Sequence, residues 1–93
     1  MSVIVAGIEF EHHHYDARAD VLYLTVEGYA GPPANAYASP EGHGIEHDGT
    51  GRVIALTLVN VQALLDRDGE LTITWPAGHV GAGDLADVLA PAA

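Results

Sequence analysis

The chain has 93 residues, 48% of them hydrophobic, which fits one folded domain spanning residues 1–93 and argues against a disordered segment. Thirteen acidic residues face three arginines and no lysine, and a formal charge of −10 argues against nucleic-acid binding, which needs clustered cations to release counterions. The absence of cysteine excludes disulfides, thiolate metal sites and cysteine nucleophiles. No apolar run reaches the roughly 18 residues of a membrane span, and the start lacks a signal-peptide pattern, so we expect a cytoplasmic protein.

Two predicted strands open the chain. Residues 8–15 alternate, which places His12 and His14 on the face of the apolar residues at the start of the strand. Residues 16–20 are small and polar, as in a hairpin turn. Residues 21–26 are apolar on both faces, and such a strand is expected in the middle of a sheet that is covered on both sides.

The middle of the chain predicts a loop, an edge strand and a second hairpin. Residues 28–40 are rich in glycine, proline and alanine and indicate a loop, with a short edge strand at residues 36–38. Residues 44–48 form the next strand, and the Asp-Gly pair at its end supplies the positive φ that a tight turn needs. Residues 52–59 follow and, like residues 21–26, are apolar on both faces.

A helix is predicted after this strand. Asn60 is a favourable N-cap residue, apolar side chains recur at helical spacing from Val61 to Leu65, and Gly69 ends the run. Residues 70–75 then alternate as a further strand, with leucine, isoleucine and tryptophan on the inward face.

The last part of the chain predicts a loop over residues 77–83 and a second short helix. Asp84 is expected to cap this helix, and its apolar stripe comprises Leu85, Val88 and Leu89. The glycines before the helix lack the lysine and the spacing of a phosphate-binding loop.

These elements predict an α+β fold that is mostly β. The expected architecture is a single antiparallel sheet of about five strands, joined mostly as hairpins, with one or two short helices. Two strands are apolar on both faces, whereas the helices are short and shield only part of one face. We therefore expect the second face to be buried against another copy of the chain, in a homodimer.

Two sequence blocks resemble a small bacterial and archaeal family of uncharacterised proteins, number 2283 among the domains of unknown function. The blocks are Tyr15-Asp16-x-x-x-Asp20-Val21-Leu22-Tyr23-Leu24 and Gly44-Ile45-x-x-Asp48-x-x-Gly51-Arg52-Val53-Ile54. The residues that carry the signature are Tyr15, Asp16, Asp20, Leu22, Tyr23, Asp48 and Gly51. The resemblance covers residues 10–59, and the chain departs from it with Ala55 in place of a frequent glycine and Thr57 in place of an acidic residue.

The resemblance implies a small β-rich cytoplasmic domain and no established reaction. Some members of that family are encoded near small toxin-like proteins, which implies by analogy a role in neutralising such a partner. The acidic charge suits a basic protein partner, and it also suits solubility alone.

Clustered histidines suggest a metal site. His12 and His14 share a strand face with Cβ atoms about 6–7 Å apart, and His47 on a strand predicted to be a neighbour would supply a third ligand for zinc or another transition metal. The favoured interpretation is a partly buried strand face on which the histidines hydrogen-bond to neighbours, and the metal site and a contact that responds to pH are the alternatives.

Two aspartates and two tyrosines have structural and chemical interpretations. Asp16 and Asp20 would act as an acid–base pair if one pKa were raised, or they would accept backbone hydrogen bonds in the turn, which is the favoured interpretation. Tyr15 and Tyr23 are expected to form a cross-strand aromatic pair that stabilises the hairpin.

No catalytic set is complete. Ser2 and Ser39 are the only serines, and no Gly-x-Ser-x-Gly motif surrounds either. The sequence therefore predicts a non-enzymatic module that works by protein–protein contact, with itself and with a basic or toxin-like partner, and without a cofactor. The alternatives are a small-ligand or metal-binding module that uses the histidines and, third, a hydrolase that uses Asp16 or Asp20 with a histidine.

Overall fold

A computed structural model describes residues 3–5, 7–28, 33–73, 78–81, 85 and 89 of the chain. Its elements, in chain order, are β1 (Val3–Val5), β2 (Ile8–Phe10), β3 (His12–Asp16), β4 (Val21–Thr25), β5 (Asn35–Ala38), β6 (Gly44–His47), β7 (Val53–Val59), α1 (Val61–Asp68), β8 (Glu70–Ile73) and β9 (Gly78–Gly81).

Five strands form the main sheet in the order β3-β4-β7-β6-β5, and every neighbouring pair is antiparallel. The two strands that are apolar on both faces, β4 and β7, lie next to each other inside this sheet, as the sequence predicts. The predicted edge strand is β5. The α+β, mostly β class is confirmed, and two two-stranded sheets, β1-β2 and β8-β9, accompany the main sheet.

One face of the main sheet, here called the inner face, carries the hydrophobic core. Cross-strand pairs such as Leu22 with Leu58 and Leu24 with Leu56 are fully buried on it, with Ile45 of β6 beside them. Residues from β1, β2, α1 and β8 complete the core, and they include Val3, Val5, Phe10, Val61, Leu65, Leu71 and Ile73. The inner face is therefore the face that the rest of the domain covers.

The opposite face is here called the outer face. Its residues follow from the strand registers: His12, His14 and Asp16 on β3, Val21, Tyr23 and Thr25 on β4, Ala55, Thr57 and Val59 on β7, Gly44 and Glu46 on β6, and Ala36 and Ala38 on β5. Tyr23 is 43% exposed at the centre of β4, so the described part of the chain leaves this face open.

The strand predicted over residues 8–15 is two strands. Glu11 separates them, and β2 pairs with β1 in a hairpin whose turn includes Gly7 at φ +78°. Strand β1 is not predicted from the sequence, since three residues are too few for a periodic signal. As a consequence Phe10 lies in the core, whereas His12 and His14 lie on the open outer face and not on the face that continues the core.

Helix α1 begins and ends at the predicted residues, but its N-terminal cap differs. Asn60 adopts a left-handed conformation, with φ 55°, and its side chain makes no capping hydrogen bond. The cap comes from Asp20, which lies 40 residues earlier in the chain. Gly69 closes the helix at φ +78°, where its N–H donates to the Leu65 carbonyl, as the predicted C-terminus requires.

The last part of the chain contains one correction. Residues 78–81, predicted as loop, form β9 and pair with β8. Leu85 is helical and fully buried, and Leu89 is helical and packs against the core, in agreement with the predicted stripe. The predicted cap Asp84, the stripe residue Val88 and the strand end at residues 74–75 lie outside the described residues.

Candidate functional site

The outer face of the main sheet is low in charge for so acidic a chain. Among the described residues of its five strands, only Asp16 and Glu46 carry a carboxylate on this face, on β3 and β6, and Glu27, which follows β4, reaches its border at His12. The centre is formed by β4 and β7, where Tyr23 is exposed and Val21, Thr57 and Val59 are half-buried. Alternation puts these side chains on the outer face because the intervening residues are the leucines of the core.

Two histidines border this central patch on the edge strand β3. His14 pairs directly with Tyr23, and their rings stack with centroids 6.1 Å apart and planes inclined by 20°. His12 Nε2 lies 2.9 Å from Glu27 Oε2, and both side chains are well exposed. The Glu27 N–H in turn donates to Glu11 Oε1 at 3.0 Å, which fixes the chain as it leaves β4.

The third predicted metal ligand lies elsewhere. His47 is on the inner face of β6, is 4% exposed, and its Nε2 lies 3.1 Å from the Tyr37 hydroxyl. β4 and β7 separate β3 from β6, three strand spacings or about 14 Å apart. The structure therefore does not bring His47 to His12 and His14, and within the described residues no three His, Cys, Asp or Glu side chains cluster as metal ligands.

The predicted aromatic pair of Tyr15 with Tyr23 does not form. The turn at residues 17–20 sets a register in which Tyr15 lies opposite Leu22, and His14 lies opposite Tyr23. Odd-numbered residues of β3 therefore share a face with even-numbered residues of β4. Tyr15 packs against the core on the inner face, and Tyr23 lies on the outer face.

The signature residues of the first block hold the fold together. Asp16 Oδ1 accepts the N–H groups of Arg18 and Ala19 at 3.1 and 3.2 Å, which closes the turn. Asp20 Oδ1 accepts the Tyr15 hydroxyl at 2.7 Å. Leu22 is fully buried. These contacts are those of a turn and a core, as the favoured interpretation of the aspartates predicts.

Asp20 also caps helix α1 across the fold. Its Oδ1 accepts the Gln62 N–H at 2.8 Å, its Oδ2 accepts the Ala63 N–H at 3.2 Å, and its carbonyl accepts the Val61 N–H at 3.3 Å. The first turn of α1 contains no acidic residue, so this carboxylate supplies the negative charge that a helix N-terminus favours. Asp20 thus joins the β3–β4 turn to the helix.

Electrostatics argue against an acid–base role for Asp20. Partial burial acts to raise its pKa, but hydrogen bonds from Gln62, Tyr15 and Ala63 outweigh burial and lower the pKa below the ordinary value. Burial, the hydrogen bond to Asp20 and the charges of Asp20 and Asp16 raise the pKa of Tyr15 to about 12. A general acid at neutral pH needs a raised carboxyl pKa, whereas Asp20 is an ionised acceptor.

The second block closes the β6–β7 hairpin. Asp48 Oδ1 accepts hydrogen bonds from the Thr50 hydroxyl at 2.6 Å, the Thr50 N–H at 2.9 Å and the Arg52 N–H at 3.1 Å. The Thr50 hydrogen bonds contribute most to lowering the pKa of Asp48. Gly51 has φ +87°, a conformation that side chains rarely adopt, so its place in the pattern has a backbone reason.

One histidine, His43, is buried although no sequence pattern predicts it. His43 is fully buried just before β6, and its Nδ1 accepts the Val59 N–H at 3.1 Å in place of a strand-to-strand hydrogen bond. The backbone N–H of His43 donates to Ser39 Oγ at 3.1 Å, and the backbone carbonyl of His43 accepts the Ser39 N–H at 2.7 Å. Since Nδ1 is an acceptor, the proton of the neutral ring lies on Nε2, which has no hydrogen-bond acceptor among the described residues. Burial lowers the pKa of His43, and the charge of Glu41 opposes this shift without reversing it.

Residues that the structure describes line two surface hollows. One, of about 380 Å³, lies beside β5 and the β6–β7 turn and is lined by Asn35, Ala36, Tyr37, His47 and Gly51. The other, of about 300 Å³, lies beside α1 and is lined by Glu41, Asn60, Leu64, Arg67, Asp68, Glu70 and Thr72. In the second hollow, the Arg67 guanidinium forms an ion pair with the Asp68 carboxylate, with Nη2 2.7 Å from Oδ2, so its positive charge is already paired within the chain.

Comparison of the chain with family models, curated proteins and solved structures finds no match. The resemblance of the two sequence blocks to an uncharacterised family therefore stays a prediction. None of the helices in the described residues is long and apolar enough to cross a membrane.

Proposed function

We propose that the protein is a non-enzymatic module that acts by protein–protein contact, and that its first partner is a second copy of itself bound through the outer face. The observation that carries this proposal is the open outer face of β4 and β7, with Tyr23 43% exposed at its centre. Asp16 and Asp20, the carboxylates considered for catalysis, are used in a turn and a helix cap, which leaves this surface as the candidate for function.

The composition of the outer face favours an identical partner. Two chains of charge −10 repel each other, and contact is least costly where charge is lowest. The carboxylates of Asp16 and Glu46 lie on β3 and β6, and that of Glu27 lies at the border beside His12, whereas the patch around Tyr23 contains valine, threonine and alanine. Aromatic side chains at the centre of such a patch are the usual anchors of an interface.

The shape of the outer face is also self-complementary. Its β3–β4 half is bulky, with His12, His14 and Tyr23, and its β6–β5 half is smaller, with Gly44 and two alanines beside Glu46. A two-fold axis parallel to the strands and centred on β7 places the bulky half of one copy over the small half of the other. Face-to-face packing of this kind is the usual arrangement of two antiparallel sheets.

The size of the face sets the expected strength. Five strands at about 4.8 Å and five residues at about 3.4 Å give a face of about 24 by 17 Å, or about 400 Å² in projection. A stable interface buries about 800 Å² on each partner. We therefore expect a dimer at the weak end of specific complexes, with dissociation in the micromolar range.

Sedimentation equilibrium of wild type and two charge-matched variants tests the proposal. Tyr23→Arg places a cation at the centre of the outer face, and Ala63→Arg places the same cation on the exposed side of α1. We expect wild type and Ala63→Arg to dimerise over about 10–200 µM and Tyr23→Arg to stay monomeric. A wild-type monomer throughout this range, or an unaffected Tyr23→Arg dimer, contradicts the proposal.

A further inference from the structure

The free edge of β5 is a second open surface of the main sheet. The Ser39 N–H donates to the His43 carbonyl at 2.7 Å, in register with the pairing of Tyr37 with Ile45. Residues of a strand direct their backbone groups alternately to its two sides, so Ala36 and Ala38 direct their N–H and C=O groups away from β6. In the part of the chain that the structure describes, no strand pairs with this edge.

The edge of β5 carries no blocking side chain. Exposed edge strands are generally protected by being very short, or by an inward charge, a lysine, a bulge or a proline. β5 is short, at four residues, but it reads Asn-Ala-Tyr-Ala, with no charge and no proline, and it pairs with β6 in register from Asn35 to Ala38, where the Ala34 N–H also donates to the His47 carbonyl. All four of its residues are exposed. Such an edge can accept an extended segment as an additional strand.

A side-chain site lies directly beside the edge. The hollow of about 380 Å³ opens next to Asn35 and Ala36, and the Tyr37 ring stands at it, 42% exposed. His47 fixes the position of this ring. The Tyr37 hydroxyl lies 3.1 Å from His47 Nε2, and the Tyr37 and His47 rings stack with centroids 5.0 Å apart and planes inclined by 22°. The planar guanidinium of an arginine can stack on a fixed aromatic ring such as Tyr37 and donate a hydrogen bond to a neighbouring amide such as that of Asn35.

Charge distinguishes the possible occupants. The chain carries −10, and the segment from residue 33 to residue 52 contains Glu41, Glu46 and Asp48 against Arg52 alone. A second copy would bring the same acidic surface to the edge, whereas a basic segment would be attracted to it. The chemistry of the edge therefore favours an extended cationic peptide over self-pairing.

We propose that β5 takes up an extended segment of a basic partner protein as a sixth strand, with an arginine side chain of that segment stacked on Tyr37. This inference rests on the proposed role in protein–protein contact. It uses a surface other than the central patch of the outer face, so the two proposals can fail separately.

The probe is a synthetic peptide of alternating valine and threonine, about seven residues long, with one central arginine and blocked ends. Two matched peptides separate the contributions: one carries citrulline in place of arginine, and one carries N-methyl groups on the backbone nitrogens that would face β5. Binding is measured by calorimetry with wild type and with three variants, Ala36→Pro, Tyr37→Ala and Tyr23→Arg.

We expect the arginine peptide to bind wild type and Tyr23→Arg equally, and N-methylation to weaken binding by about tenfold or more because the strand-to-strand hydrogen bonds are lost. Citrulline should weaken binding by about threefold to tenfold in wild type and by less in Tyr37→Ala, where only the attraction to the acidic chain remains. Ala36→Pro should abolish binding yet leave Tm within a few degrees, because the lost N–H faces away from the sheet.

Three results would overturn the proposal. They are the absence of binding to wild type at about millimolar peptide, equal binding of the N-methylated peptide, and equal binding of the citrulline peptide to wild type. The N-methylated peptide is tested on unaltered protein, so the edge is examined even if Ala36→Pro fails to fold. If the wild type dimerises but no peptide binds it, the basic partner is excluded while the proposed dimer stands.

Discussion

The carboxylate of Asp20 joins two parts of the fold that are distant in sequence, and its removal provides a direct test of that link. The carboxylate accepts the Tyr15 hydroxyl and the N–H groups of Gln62 and Ala63 at the start of α1. Asp20 itself has φ 58°, a left-handed conformation that aspartate, asparagine and glycine tolerate better than alanine. Three substitutions at this residue therefore separate backbone strain from hydrogen bonding.

The magnitudes follow from these contacts. Loss of a helix cap costs about 0.5–2 kcal/mol, loss of the hydrogen bond to Tyr15 costs about 0.5–1.5 kcal/mol, and alanine in a left-handed conformation costs about 1–2 kcal/mol. We expect Asp20→Ala to lower the free energy of unfolding by about 2–5 kcal/mol. Asp20→Gly avoids the strain and should lose about 1–3 kcal/mol. Asp20→Asn keeps one acceptor oxygen and should lose the least.

Urea denaturation followed by circular dichroism measures all three variants, with Asp66→Ala on the exposed side of α1 as the matched control for loss of an acidic residue. The control should change stability by less than about 0.5 kcal/mol. A double-mutant cycle of Asp20→Gly, which removes the acceptor without backbone strain, with Tyr15→Phe should give a coupling energy of about 1 kcal/mol. The assignment of Asp20 as the cap of α1 is refuted if Asp20→Ala and Asp66→Ala are equally stable.

Three further outcomes concern single positions. Burial lowers the pKa of His43 in the folded chain. Below the ordinary histidine pKa of about 6.5, His43 is therefore protonated in the unfolded chain while it is still neutral in the folded chain. Stability should therefore fall as pH drops through 6.5 toward the folded pKa, and His43→Gln should flatten this decline in urea titrations between about pH 7.5 and 5; an equal slope would contradict it. Gly69→Ala should cost about 1 kcal/mol by thermal unfolding, since Gly69 ends α1 at φ +78°, and no loss of Tm would contradict the strain. Asp48→Ala removes three hydrogen bonds to Thr50 and Arg52, so hydrogen exchange in the β6–β7 turn should accelerate while the core amides of β4 stay protected.

The elements that the sequence predicts are those with a strong periodic signal. β4 and β7 are apolar on both faces, so their position inside the sheet follows from burial alone. The end of α1 follows from Gly69, and the β6–β7 turn follows from its Asp-Gly pair. For β4, β7 and the end of α1, a local rule and the tertiary structure require the same residues, and prediction succeeds for that reason. The β6–β7 turn lies at the predicted position, but its positive φ is at Gly51, at +87°, and not in the Asp-Gly pair.

The missed features depend on register or on contacts distant in sequence. A turn of four residues after β3 sets Tyr15 opposite Leu22, and no periodic pattern fixes such a register. The cap of α1 comes from Asp20 and not from Asn60, because a carboxylate 42 residues away satisfies the same N–H groups. Separation of His47 from the other histidines depends on strand order, which composition does not determine.

The signature residues and the proposed interaction surfaces share Asp16 and Tyr23 on the outer face and Gly51 beside the hollow at β5. Tyr15, Asp16 and Asp20 fix a turn to a helix, and Asp48 and Gly51 fix a second turn, so each has a structural contact of its own. Tyr23 differs from these residues, because it points away from the core and takes part in neither turn nor in the helix cap. Its substitution therefore tests the proposed dimer while every contact of the turns, the cap and the core is kept.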